Sequence, residues 1–456
     1  MTVPHLIINT YLKPAMKKLK LLLAGVLLAT FGSAIAATVP AKKVSDERPK
    51  HYSEWLTRSE MQRVPESYML DFSNRPKWSY VMGIELESML DTYLRYGGDD
   101  IKDYCVLYTD TMISPDGEIR GYKLLDYNLD NVRTGHFVSR MYEHFPEQKN
   151  LKAMNTLMRQ LNDQPRTNEG VYWHKAIYAY QVWLDGIFMG LPFRVLTASQ
   201  IYTPELAKPI YDDAVDQVKS TYDRTYDPKT GLNRHAWDES REMFWSDNET
   251  GLSQHCWGRA QGWYTMALVE LLDVLPEDYE RRGEVIDLLT RCFDNIIKWQ
   301  DPKTGVWYQV MDSPEREGNY LESTCSSMFA YSLLKAARKG WVTDPKYREA
   351  GIKAYEGIID NFICEDEDGT ISLTDCCVVA GLGPGISDAV LKAAPKVKEN
   401  KRRDGSYAYY LSEPIRDNDA KGVGPFIWAS LEMEDLGYNV DSFKKGHKKA
   451  KKSSKK

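Results

Sequence analysis

Apolar residues in this chain recur three and four positions apart far more often than they alternate. The spacing predicts helices over 78–93, 137–145, 152–162, 206–222, 260–275, 285–300, 325–337 and 350–362. Leu184, Ile187, Phe188 and Leu191 continue the same rhythm with Asp185 and Gly186 at their start, so Asp185 is expected at a helix N-cap. Turn-rich loops separate the stripes. The pentapeptide DPKTG occurs at 227–231 and again at 301–305, which points to a repeated helix–loop–helix unit. No run of strands alternates with these helices, which disfavours a doubly wound sheet. Periodicity by itself therefore predicts an all-α chain of many antiparallel helix pairs.

The two ends break the pattern. Met16 opens MKKLKLLLAGVLLATFGSAIA, a basic stretch, an apolar run and an Ala34-Ile35-Ala36 cleavage signal. The expectation is a secretory signal cut after Ala36, with residues 1–15 an upstream extension and the mature protein periplasmic or secreted. A stable membrane anchor is disfavoured, because the apolar run is short and ends in a processing site, and no cysteine follows it for lipid attachment. The 420 residues left of 456 once 1–36 are set aside have room for one large core or two domains.

Charge changes the picture more than composition does. The formal net charge is −6, but residues 1–36 carry four lysines and no acid, and 444–456 carry eight lysines and no acid. With those twelve charges set aside, the body stands at −18, which argues against nucleic acid as a partner. The lysine-rich end reads as a solvated, disordered tail. An anionic ligand of such a body must find its positive charge in a local pocket. The seven cysteines, Cys105, Cys256, Cys292, Cys325, Cys364, Cys376 and Cys377, have neither disulfide-framework nor metal-ligand spacing, so buried thiols, no metal and no cofactor are expected.

The densest candidate chemistry lies in WHKAIYAYQVWLDGIFMGLPF, residues 173–193. One carboxyl, Asp185, ringed by aromatic side chains with His174 and Lys175 upstream, suits an enzyme that cleaves a sugar. An isolated Asp-Gly is equally an ordinary helix start. An N-cap favours the ionised carboxylate, burial against Trp183 and Phe188 the protonated one, and the sequence leaves that contest open. Asp130, in YNLDNVRTGHFV, also precedes a helical stripe, where an Asx turn is the plain alternative. If the segment is partly helical, His174 and Lys175 lie about three turns before Asp185. Arg259 and Trp263 are i, i+4 on the stripe of Ala260, Tyr264, Ala267, Leu268 and Leu271; the arginine suits a bidentate carboxylate contact, the tryptophan ring stacking or core packing.

Four blocks carry a resemblance beyond these single residues: WHKxxY…WLDGxxMxxPF, then residues 237–276, 318–340 and 402–434. In this order they resemble glycoside hydrolase family 105, the unsaturated rhamnogalacturonyl hydrolases, and more distantly the unsaturated glucuronyl hydrolases. The match departs at Ala179, Tyr180, Gln181 and Val182, where many relatives have a proline-containing turn, and at Gln261, where Asn or Met is usual. The resemblance implies one catalytic domain over 37–443 folded as an (α/α)6 toroid. It implies Asp185 as general acid and base and Asp130 as the second active-site aspartate. His174, Lys175, His235, Arg259 and Trp263 match substrate-contacting positions, with Trp183 and Tyr80 as weaker aromatic candidates; His136 and His255 receive no role. The implied substrate is a Δ4,5-unsaturated uronyl oligosaccharide left by a polysaccharide lyase, and the implied reaction is hydration of the C4=C5 bond. Other readings are a glucuronyl hydrolase for ulvan, glycosaminoglycan or arabinogalactan-type products, an epimerase or lyase on the same toroid, and a binding protein without catalysis. The acid-centred WLDG block speaks against an epimerase's paired histidines. The aglycone and the oligomeric state are not legible.

Overall fold

A computed structural model describes residues 48–383 and 403–443, with the backbone of Lys448 and Lys449 besides. The expected export signal over 1–36 lies outside the described residues, as does the basic tail over 444–456 apart from those two lysines. They pair in parallel with Cys364 and Glu365.

The helices fall into two kinds by burial. α2 (Tyr80–Tyr96), α4 (Asp130–His144), α6 (Leu184–Ile201), α8 (Gly258–Val274), α10 (Ser323–Arg338) and α13 (Ala420–Asp435) are buried over much of their circumference, α6 and α8 almost completely. Each packs on the next, and α13 closes on α2 to complete a ring. α1 (Tyr52–Arg63), α3 (Asp99–Met112), α5 (Gln148–Asp163), α7 (Pro204–Thr225), α9 (Arg282–Lys298) and α11 (Pro345–Phe362) bury mainly one stripe, as an outer layer should. The short α12 (Tyr407–Ser412) precedes α13. Six inner and six outer helices alternating along the chain make the (α/α)6 toroid.

Small residues let the ring close. A Cβ on Gly83 of α2 would meet the Thr134 backbone of α4 at 2.7 Å, and one on Gly424 of α13 would meet Ile84 of α2 at 2.7 Å. The DPKTG loops form the same turn twice. Gly231 and Gly305 donate their N–H to Asp227 and Asp301, take φ of +76° and +80°, and the preceding threonine hydroxyl bonds to the aspartate carboxylate.

Residues 173–180 are not helical. His174 N–H donates to Gln181 O and Tyr178 N–H to Lys175 O, so the segment folds back on itself before β1 (Gln181–Trp183). β1 pairs antiparallel with β2 (Ala236–Asp238), and Leu184 N–H then bonds His235 O at 3.2 Å. That pairing moves the helix N-cap two residues toward the N-terminus of the expected position at Asp185. Trp183 is the N-cap of α6, and Asp185 lies inside its first turn with no capping hydrogen bond from a side chain.

The axis of the ring is filled rather than open. Tyr80 meets Trp263 edge-on, Trp263 stacks on Phe188 at 4.8 Å, and the Arg133 guanidinium lies 4.0 Å over Phe188. Arg133 is ion-paired to Glu270 and Glu87 behind it. This column divides two mouths, one at the N-terminal ends of the inner helices and one at their C-terminal ends.

Candidate active site

Every inner helix brings one ionisable side chain to the first mouth. Tyr80 and Asp130 are the first residues of α2 and α4, and Asp185 and Arg259 the second residues of α6 and α8. Glu322 and Asp419 are the N-caps of α10 and α13 and accept from the Cys325 and Lys421 N–H groups. Helix N-termini suit negative charge, so a ring of six gathers acids at one rim.

The two aspartates stand in unlike surroundings. Lys175 Nζ donates to Asp130 Oδ2 at 2.5 Å, and His174 Nε2 lies 3.3 Å from Oδ1. Burial alone would raise the Asp130 carboxyl, but Lys175 and then His174 outweigh it and hold it well below the usual carboxylate range. The local turn is made by Asn128, whose side chain accepts the Asp130 N–H, so the Asp130 carboxylate is left to Lys175 and His174. Asp185 is 8 % exposed, and among the described residues no lysine or arginine pairs with it. Among the described residues its one charged-type neighbour at ion-pair distance is His235, with Nε2 3.2 Å from Oδ2. The two atoms are close but out of line for a hydrogen bond, and both lack another partner.

His174 links the two. Its carbonyl accepts from Leu129 N–H beside the start of α4, and its Nδ1, unpartnered, would meet a Cβ on Gly186 at 3.0 Å. A side chain at 186 would therefore push His174 away from Asp130. Trp183 stacks on the His174 ring at 4.7 Å and Tyr178 on Trp183 at 5.0 Å, so the predicted aromatic ring is a stack of three.

Arg259 is 1 % exposed, lies 4.8 Å over Trp257 and donates from Nη2 to Cys377 O at 2.7 Å. Burial opposes its charge, but Cys377, Glu322 and Asp419 more than offset that. The Nη1 atom has no partner. A bidentate clamp through both terminal nitrogens thus gives way to one committed and one unpartnered arm. Lys175 is committed to Asp130 rather than left free for a ligand. Trp263 is 1 % exposed and presents its face to Phe188, so it forms the floor and belongs to the core. Burial raises the Tyr80 phenol well above 10, Asp130 pushes the same way and Arg259 opposes, which puts Tyr80 among all these groups.

Sequence reasoning missed Glu322, Asp419 and Tyr410. Glu322 had a legible signal, an acid three residues before the stripe over 325–337, whereas Asp419 had none, because the helix it caps was not read from spacing. Tyr410 had none, standing in the run Tyr407-Ala408-Tyr409-Tyr410; its Oη lies 2.7 Å from His235 Nδ1. Among the described residues no group of three His, Cys, Asp or Glu side chains is arranged to hold a metal ion. His136 lies across the floor against Glu87, and His255 against Asp312, both away from the two aspartates.

The second mouth holds a cavity, a well of about 560 Å3 lined by the C-terminal halves of all six inner helices. Its size does not make it the site. Each of its seven acids already has a cation: Glu87 and Glu270 share Arg133, Asp91 and Glu143 share Arg140, Asp273 pairs with Lys335, and Glu432 and Asp435 with Arg338.

Known proteins resemble this chain along most of its length. The family described as Glycosyl Hydrolase Family 88 matches residues 52–436. A solved structure of a family 105 glycoside hydrolase from C. acetobutylicum is 39 % identical and superposes with a TM-score of 0.77, covering 85 % of this chain and 100 % of that one. Protein Atu3128 of Agrobacterium fabrum is 37 % identical over 247 residues, 54 % of this chain and 97 % of its own length. The unsaturated rhamnogalacturonyl hydrolase YesR of Bacillus subtilis is 22 % identical over 315 residues, 68 % of this chain and 81 % of its own length.

Proposed function

The chain belongs to the glycoside hydrolases of the family 88 and family 105 type, which act on unsaturated uronyl sugars, and on that premise we propose that it is an exported enzyme that removes the Δ4,5-unsaturated galacturonyl residue from the non-reducing end of lyase-generated rhamnogalacturonan fragments. The observation that carries the mechanism is the contrast between the two aspartates. Asp130 is held ionised by Lys175 and His174, so it is a poor proton donor. Asp185, paired with no lysine or arginine, is the carboxyl left to give and take a proton.

The C4=C5 bond of the substrate is an enol ether. Protonation of C4 by Asp185 leaves positive charge shared between C5 and the ring oxygen, close to the fixed anion of Asp130. Water adds to C5 and returns its proton to the Asp185 carboxylate. The hemiketal so formed opens, the anomeric C–O bond breaks, and the aglycone leaves with a proton. Atoms balance with one water consumed, and no metal or redox group is required. The unpartnered Nη1 of Arg259 is the anchor for the sugar carboxylate. The name of the Bacillus subtilis relative supports rhamnogalacturonan as the parent polymer, and the signal pattern at Met16 to Ala36 supports export.

The conjugated ene-acid absorbs in the ultraviolet and the product does not. Absorbance should fall when the protein is added to lyase-digested rhamnogalacturonan, and more slowly or not at all with lyase-digested ulvan or glycosaminoglycan. Preference for either of the latter would replace the proposed substrate. Mass spectrometry of the exported protein should find a chain beginning at Ala37; a full-length chain retained in the cytoplasm would contradict export.

A further inference from the structure

His235 is completely buried, yet each of its ring nitrogens faces one polar atom. Nδ1 is 2.7 Å from Tyr410 Oη, and Nε2 is 3.2 Å from Asp185 Oδ2. The ring cannot turn away from either. Its backbone is fixed on both sides, by the bond from Leu184 N–H to its carbonyl and by its own N–H to His255 O, and Trp257 packs on it at 4.8 Å.

A neutral imidazole carries one N–H and one lone pair, so which nitrogen holds the proton decides what Asp185 meets. Two arrangements fit the distances. If Nδ1 carried the proton, it would donate to Tyr410 Oη and turn the Nε2 lone pair onto a carboxylate oxygen. The Tyr410 hydroxyl proton would then have no acceptor, because His235 is the one hydrogen-bond partner of that oxygen among the described residues. If Tyr410 donates instead, its proton goes to Nδ1, Nε2 carries N–H, and N–H faces the carboxylate. The second arrangement alone gives the Tyr410 proton an acceptor and turns N–H rather than a lone pair toward the carboxylate, a charge–dipole contact at 3.2 Å that is out of line for a hydrogen bond. Burial also raises the Tyr410 phenol well above 10, so the donor keeps its proton at working pH.

We propose that Tyr410 is a positioning residue, which fixes His235 as the Nε2–H tautomer so that Asp185 Oδ2 meets a donor and Oδ1 is left to carry the proton to and from the substrate. The catalytic half of this rests on the reading of Asp185 as general acid and base; the tautomer does not. Tyr410 is itself firmly placed. Ser406 caps its short helix through Tyr409 N–H, and the neighbouring Tyr409 hydroxyl accepts from Gly381 N–H at 2.9 Å.

The test reads the tautomer first and the rate second. In protein labelled with 15N-histidine, two-bond 15N–1H correlations distinguish Nδ1–H from Nε2–H, and the His235 signals are those lost in His235→Asn. The wild-type enzyme should show Nε2–H, and Tyr410→Phe should show a mixture or the other tautomer. kcat of Tyr410→Phe should fall roughly ten- to a hundredfold with KM little changed. In the His235→Asn background the same substitution should cost nothing further, since the two act as one unit. A wild-type Nδ1–H tautomer, an unchanged tautomer in Tyr410→Phe, or losses that multiply in the double variant would each overturn the proposal. The wild-type tautomer needs His235→Asn only to assign its signals and needs no turning-over substrate, so inactivity on unsaturated uronides would remove the proposed function and leave this result to be read alone.

Discussion

The two mouths of the toroid are built from opposite ends of the same six helices and are both rich in charge, yet only one is prepared for chemistry. At the C-terminal mouth the cavity is large and every acid is matched by arginine or lysine. Charges so paired are fixed, and giving or taking a proton there means breaking an ion pair. At the N-terminal mouth Asp130 is equally well paired, but Asp185, His174 Nδ1, His235 Nε2 and Arg259 Nη1 are left without hydrogen-bond partners. The difference teaches that an acid left without a lysine or arginine partner beside one firmly paired, rather than cavity size or charge density, marks the reacting end.

The comparison breaks most sharply at Asp185. Asp185→Asn keeps the volume and the helix turn but removes the proton carrier, so kcat should fall by about 10²- to 10⁴-fold while the circular dichroism spectrum and Tm stay near wild type. Near wild-type turnover on an unsaturated disaccharide would return Asp185 to the status of a helix-start acid.

Arg259→Ala should cost less. Loss of one charge-assisted hydrogen bond to the sugar carboxylate is worth about 1.5–3 kcal/mol, roughly ten- to a hundredfold in kcat/KM. The methyl ester of the substrate should lose less than the free acid does on the same substitution; equal losses would mean that Arg259 serves only to hold the Cys377 loop.

Lys175→Met sharpens the contrast between the aspartates through pH. Asp130 is depressed below its ordinary value of 3.8, so its ionisation contributes stability that is fully present above that value and is lost as pH falls through the lower folded one. The stability difference between wild type and variant, from denaturant unfolding, should therefore be larger at pH 7 than at pH 3. A difference that is constant or grows toward pH 3 would mean that Lys175 does not hold Asp130 ionised.

The smallest effect on activity belongs to the other mouth. Asp273→Asn removes the partner of the largely buried Lys335 and should lower stability by about 1–3 kcal/mol. kcat and KM should not move. A change in kcat would show the two mouths to be coupled through the column of Trp263, Phe188 and Arg133.

The eight stripes read from spacing and the one beginning at Leu184 are helices, because in each the apolar face alone specifies the element. Three helices of the toroid escaped that reading for physical reasons. α1 buries Ser53, Thr57, Ser59 and Glu60 alongside its apolar Tyr52, Trp55 and Leu56, so polar residues interrupt its pattern, as where Ser53 meets Glu434. α3 carries its stripe on Tyr104, Cys105 and Tyr108, and α13 contains Gly422, Gly424 and Pro425, which read as breakers but serve close packing. In the site, the resemblance named residues that the fold does bring to one mouth. It left out their pairings, because Lys175 to Asp130 spans 45 residues and His235 to Tyr410 spans 175. Such pairings come from ring closure, which local sequence does not encode. The displaced start of α6 has the same origin, a two-strand pairing with residues 236–238.

The central claim is that Asp185 protonates C4 and that water then adds at C5. It is tested most directly by running the reaction with an unsaturated uronyl disaccharide in D2O, and separately in H218O, and analysing the released acid by NMR and mass spectrometry. The account predicts one deuterium at C4 and solvent oxygen entering at C5. Product without deuterium at C4, carrying the solvent oxygen at the anomeric carbon, would contradict it and assign the enzyme to direct glycoside displacement.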